Sequence, residues 1–165
     1  MTSKTKRITE SAMLLAVAIV LELIAKMFIP EQTFGGQITI VSMLPVILVA
    51  WKYGLARGIF TGLAYSAVEM LLGARIIGGA FNPLNEDYYL GGLWQAILMV
   101  VFDYIIAYAV LGLAGLYKKA IKSKTLSLTL GAATVVTLRY ISHIISGYIL
   151  YGSWAEWFFT QDGFY

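Results

Sequence analysis

Residues 94–117 read WQAILMVVFDYIIAYAVLGLAGLY, an apolar run in which Asp103 is the single charged side chain. At about 1.5 Å of rise per residue, a helix of this length is roughly 36 Å long and crosses the ~30 Å hydrocarbon layer of a bilayer. Residues 127–151, SLTLGAATVVTLRYISHIISGYILY, form a second stretch of spanning length and carry Arg139 and His143. Asp103 lies about 13 Å from the start of its span, and His143 about 12 Å from the end of its own. The linker Lys118–Lys124 is short and basic, so the two helices are expected to pack antiparallel. Both side chains then reach the same depth near one membrane face. An ionisable group in hydrocarbon is costly and faces a cavity or a partner. Asp103 and His143 therefore read as part of a polar ligand pocket near one surface, or as a buried pair that fastens two helices.

Composition agrees with a membrane protein. Of 165 residues, 59% are hydrophobic and 13% charged, with a mean hydropathy of +0.78. A soluble domain carries about 25% charged residues, so this chain has too few to cover a water-soluble globule. The net charge of +3 does not imply nucleic acid, because the basic residues cluster where membrane topology puts them. With no cysteine there is no disulfide, thiolate metal site or cysteine nucleophile, and one histidine argues against a metal centre.

The expected architecture is an all-α integral membrane protein: one domain, residues 1–165, of five transmembrane helices. The first segment runs from Ile8 to Ile29 and is closed by Pro30; a loop over residues 31–37 turns at Gly35-Gly36. The second, Ile38 to Trp51, is short and contains Pro45, so it is kinked or partly re-entrant. Lys52-Tyr53-Gly54 turns the chain into a third segment, Leu55 to Leu72, and Gly73 to Gly92 reads as a polar loop. The two spans quoted above follow, and the tail Gly152 to Tyr165 is too short to cross again. Glu10, Glu22 and Lys26 interrupt the first segment, which makes it a mature helix and no cleavable signal; Glu22 and Lys26, at i,i+4, are spaced to pair.

Alternating the spans from a cytoplasmic N-terminus puts Lys4, Lys6, Arg7, Lys52, Arg57, Lys118, Lys119, Lys122 and Lys124 inside, with Lys26 and Arg75 outside. That asymmetry is the positive-inside pattern of a multi-pass protein of the cell membrane. The Asp103 and His143 pocket then opens to the exterior, which suits uptake.

Arg139, His143, Gly147 and Tyr151 recur every four residues and share one helix face. They offer a charge, an imidazole, a gap for close ligand approach and an aromatic ring. Asp103-Tyr104 adds a carboxylate and a phenol, and Tyr148, Tyr151 and Trp154 extend the aromatic set. A flat, cationic, hydrogen-bonding organic molecule needs such surroundings. The competing reading for Trp154, Trp157 and Tyr165 is an interfacial aromatic belt. Ser146, at i+3 from His143, is placed to touch it, which leaves an intramembrane enzyme or a purely structural subunit as alternatives. Ala12 and Ala16 form a small-xxx-small pair that permits close helix approach.

Several blocks together resemble a known family: Thr9-Glu10-Ser11-Ala12 through Ala16, Gly35-Gly36 leading to Met43-Leu44-Pro45, and Phe102-Asp103-Tyr104 leading to Leu111-Gly112-Leu113-Ala114-Gly115-Leu116. The longest is Leu138-Arg139-Tyr140-Ile141-Ser142-His143-Ile144-Ile145-Ser146-Gly147, continuing to Tyr151. Nearly the whole chain resembles the substrate-binding S-component of an energy-coupling-factor (ECF) vitamin transporter, most closely the thiamine-specific type. The resemblance implies thiamine as ligand, with Asp103 on its pyrimidine, Tyr104 and His143 as polar contacts and Tyr151 as a stacking ring. It implies that Ala12 and Ala16 dock on a transmembrane coupling subunit, that two cytoplasmic ATPases supply the power, and that this subunit is no enzyme and holds no cofactor. Another vitamin remains the alternative substrate. The family has six membrane helices, so the five read here suggest a chain truncated at its C-terminus. Met99 stands where the family has a glutamine four residues before the acid, with Gln95 eight before it, and Gly36 stands where some relatives have a tryptophan.

Overall fold

The computed structural model describes residues 3–28, 40–85 and 88–159, with side chains for all of these except residues 3, 40 and 153–159. The expected stop at Pro30, the turn at Gly35-Gly36 and the rings of Trp154, Trp157 and Tyr165 lie outside the described residues and side chains. Among the described residues every regular element is a helix and none is a strand, and the all-α membrane class holds. Four helices are long and apolar enough to cross a bilayer, and a shorter apolar helix covers Val41–Tyr53.

Helix α1 spans Ser3–Phe28 and α2 Ile40–Tyr53. Pro45 is buried, and α2 continues past it as a helix. This second segment is the hub of the bundle: Met43, Val46, Ile47, Val49 and Ala50 are at most 5% exposed, because α1 and the helices over residues 55–72, 93–118 and 124–159 all pack on it. Helix α3 is Leu55–Leu72, reached through Gly54 at φ 92°, a left-handed conformation that glycine adopts without steric cost. The expected loop after Leu72 is a helix in part. Ala74–Phe81 forms a short α4, with Ile76 and Ile77 partly buried and Gly79 and Ala80 buried. The paired Gly78-Gly79 hide it from a propensity reading. Beyond it, the Asn82 and Asn85 side chains accept from the backbone N–H of Leu84 (3.1 Å) and Tyr88 (3.0 Å), making local turns.

Helix α5 covers Leu93–Lys118, and α6 covers Lys124–Phe159. The apolar run that marks the last span ends at Tyr151. The chain instead remains helical through Phe159, because a lone glycine costs a helix only about 1 kcal/mol and Ala155 and Glu156 favour continuation.

Polarity is arranged inside out. Met13, Val17, Val20, Phe60, Leu71 and Ile144 are exposed, whereas Glu22, Ser42, Ser66, Glu69, Ser127, Arg139, Ser142 and Ser146 are buried. In a lipid environment the apolar exterior is stable and the polar interior must be internally paired. Trp51 does so across α2 and α6, donating Nε1–H to Ser127 Oγ at 3.2 Å.

Small residues set the spacing of the helices. Gly58 and Gly62 on α3 form a Gly-xxx-Gly pair facing α5; a Cβ at Gly58 would lie 2.8 Å from the Gly112 Cα, and one at Gly62 would collide with the Tyr108 carbonyl. Lipid tails are as apolar as leucine, so close backbone contact supplies much of the attraction between such helices. Gly62→Leu should therefore lower stability by about 1–3 kcal/mol or prevent folding, read as a reduced melting temperature in detergent. Gly147→Ala should not lower it, since nothing lies within 4 Å of a Cβ there and alanine favours the helix by up to about 1 kcal/mol.

Candidate ligand-binding site

The site begins with an irregular piece of α5. The helix is α-helical over Leu93–Met99, widens to π-type winding over Val100–Ile106, and tightens to 3₁₀ over Val110–Lys118. π-type segments are rare and recur at functional positions, because they displace carbonyls from the regular ladder. Here the Phe102 carbonyl accepts from Ser142 Oγ of α6 at 2.7 Å. A backbone acceptor in hydrocarbon needs such a partner. The next residue is Asp103.

Both Asp103 carboxylate oxygens are held by α6. His143 Nδ1 lies 2.8 Å from Oδ1, and Ser146 Oγ donates to Oδ2 at 2.7 Å. The shared depth expected for Asp103 and His143 is thus realised as a direct contact. Ser146, weighed as a partner of His143, serves the carboxylate instead: residues at i and i+3 on one helix face converge on the same acid. With Nδ1–H donating to the carboxylate, the neutral imidazole keeps Nε2 as an acceptor. The pair is partly accessible, with 24% of the Asp103 side chain and 38% of the His143 side chain exposed. It fastens α5 to α6 and still offers a ligand one imidazole nitrogen and the spare carboxylate lone pairs.

The other expected residues divide. Tyr151 is partly buried and within electrostatic reach of Asp103. Gly147 borders open space, the gap expected of it. Tyr104 is partly buried, and its hydroxyl points to the end of α3, where a Cβ at Gly73 would come within 2.6 Å of it. Tyr148 is 80% exposed and belongs to the outer surface. The Trp154 side chain is outside those described. Arg139 departs from the expected face: it is buried, donates from Nη2 to the Tyr108 hydroxyl at 3.2 Å, and stacks its guanidinium 4.1 Å from that ring's centre. Its long side chain bends away to the best acceptor, which spacing along one helix does not reveal.

A second polar cluster was only half legible. Glu22 and Lys26 do pair, at 3.7 Å, but Lys26 also binds Glu69 Oε2 of α3 at 3.0 Å. Glu22 Oε2 accepts from Ser42 Oγ at 2.6 Å and from Tyr65 OH at 3.1 Å. Tyr65 meets Tyr108 edge to face, with ring centroids 5.1 Å apart. Lys26, Glu22, Ser42, Tyr65, Tyr108 and Arg139 thus join α1, α2, α3, α5 and α6. Glu69 is the only acid between Leu55 and Leu72, and an acid within a membrane span is the signal that would have singled it out.

Comparison with known proteins agrees with the membrane-transport reading. No solved structure matches the chain. A curated relative, the thiamine transporter ThiT of Bacillus subtilis (strain 168), is 28% identical over 158 residues, covering 90% of this chain and 72% of the relative. The model of a family described as thiamine transporter protein matches residues 8–157. That match takes in all the long helices, Asp103 and His143, and its family transports a solute and does not catalyse a reaction: the chain belongs to the thiamine transporter protein family.

Proposed function

We propose that this chain is the membrane-embedded S-component of an ECF-type transporter and captures thiamine from outside the cell at the Asp103–His143 site. The observation that carries the reading is a carboxylate held by His143 and Ser146 yet a quarter exposed, at 24%, in a chain of the thiamine transporter family. Thiamine has a fixed positive charge on one ring, an aminopyrimidine and a hydroxyl tail. Asp103 supplies the counter-charge and a hydrogen-bond acceptor, His143 Nε2 a second acceptor, Tyr104 and Tyr151 aromatic faces, and Gly147 room against the backbone; Trp154 is a further ligand contact in the sequence reading alone. Removing one charged partner from a desolvated pair costs about 2–5 kcal/mol, roughly thirty-fold to several-thousand-fold in affinity. Asp103→Asn should weaken thiamine binding at least about tenfold, and His143→Ala by less, in a tryptophan-fluorescence titration of purified protein. Tight binding of riboflavin with thiamine inert would overturn the substrate.

Uptake needs a drive, which in this reading comes from a transmembrane coupling subunit and two cytoplasmic ATPases. Support for a docking face is that Ala12 and Ala16 are both exposed on α1, whereas Ala18 on the other side is fully buried. Leucine at Ala12 or Ala16 should abolish uptake in cells while leaving thiamine binding by the isolated chain intact. Parallel loss of binding would make the small pair internal packing.

In the cell membrane the N-terminus is cytoplasmic, with residues 73–92 outside. The basic asymmetry supports this orientation. Cysteines introduced at Ser123 and Asn85 should label from opposite faces of intact cells, Asn85→Cys from outside. Labelling of both from outside would refute the orientation.

A further inference from the structure

Toward the N-terminal end of the bundle, α1 and α3 flank an open groove of about 290 Å³. Arg7 and Arg57 stand at its mouth, and Ala12, Leu15, Phe60 and Ala64 line its length. Neither arginine has an ion pair among the described residues. Glu10, the acid nearest to Arg7 in sequence, is already occupied: Lys52 lies 2.5 Å and Lys6 4.0 Å from its carboxylate, and the Tyr53 hydroxyl also bonds to it. Arg57 leans on the Tyr53 ring at 5.8 Å, yet its Nη1 is buried with no hydrogen-bond partner. A buried guanidinium N–H without an acceptor is costly, so this end of the groove calls for an oxygen acceptor, and the two arginines favour an anionic one.

The rest of the groove says what carries that oxygen. From Arg7 to Leu15 is eight residues of helix, about 12 Å, most of the ~15 Å thickness of one leaflet's hydrocarbon. Charge sits at the end where the flanking basic residues mark the membrane boundary, and the walls beyond it are apolar. Free phosphate would leave those walls empty, and a zwitterionic headgroup would set its own ammonium against the arginines. We propose that the α1–α3 groove seats one anionic phospholipid, with its phosphate between Arg7 and Arg57 and one acyl chain along Leu15, Phe60 and Ala64. Phosphatidylglycerol is the probe of choice, because its headgroup adds no cation.

The full chain is reconstituted in phosphatidylcholine vesicles containing a minority of phosphatidylglycerol, extracted in mild detergent and weighed by native mass spectrometry. Wild type should retain one phosphatidylglycerol. Arg57→Gln or Arg7→Gln should lower its occupancy about fivefold, the loss expected for one basic residue facing an anionic headgroup. Ala64→Leu, which fills the floor and leaves both charges, should lower it as well. If Arg57→Gln fails to fold, the exposed Arg7 carries the test. Equal retention of phosphatidylcholine, retention indifferent to all three substitutions, or a wild type that keeps no lipid would each overturn the proposal. So would inorganic phosphate displacing the lipid, or a groove filled only when another membrane protein is co-expressed.

Discussion

A carboxylate surrounded by hydrocarbon must find its donors within the protein, and that constraint organises this bundle. Glu22 and Glu69 are 2% and 6% exposed in a molecule whose outer surface is apolar. Glu22 takes Ser42 of α2 and Tyr65 of α3 besides Lys26 of its own helix, and Glu69 of α3 takes Lys26 of α1. Neither helix satisfies its acid alone, so each acid specifies its neighbours. Breaking a buried pair by removing one partner typically costs about 3–5 kcal/mol, far more than one lipid-facing side chain contributes. Through Tyr65, Tyr108 and Arg139 the same network reaches α5 and α6. Apolar contact against lipid has no direction, whereas these contacts fix which helix stands beside which.

The Asp103 site obeys the same rule with a difference. Its acid is as fully engaged as Glu22, through His143 and Ser146, but it sits where a quarter of its surface is open. Helix clamp and ligand site were opposed readings of the sequence. In the folded chain they are compatible, because a carboxylate has about four lone-pair sites and the clamp occupies two. The clamp also orients the imidazole, so a ligand bound there as proposed would meet an acceptor already ordered.

How much of this could be read in advance depended on range. Apolar run length gave the class, the spans and the common depth of Asp103 and His143, since each follows from local composition and helical rise. Glu22 with Lys26 was legible at i,i+4. The Glu69 partner, 43 residues from Lys26, was not. Arg139 shows the limit of periodicity: four-residue spacing places its Cα on the His143 face, but its guanidinium reaches Tyr108, a partner 31 residues away. Helix α4 was masked by Gly78-Gly79, and the extension to Phe159 lies beyond the apolar run that marks the span. The Gly58 and Gly62 pair was present in the sequence, but its role becomes visible only opposite Gly112 and Tyr108.

The winding of α5 between Val100 and Ile106 affects how this chain tolerates changes in length. A π-type stretch accommodates residues that a regular helix would have to place elsewhere, so the faces before and after it are out of phase. Deleting one residue there would yield a straighter and locally better helix. It would also turn everything on one side by about 100° relative to the other, moving Asp103 off the line of His143 and Ser146. The same deletion in the turns of residues 82–85 would change only the path of a connection. Insertions and deletions among descendants of this chain are therefore expected to collect outside α5, although α5 holds the most irregular helical backbone described.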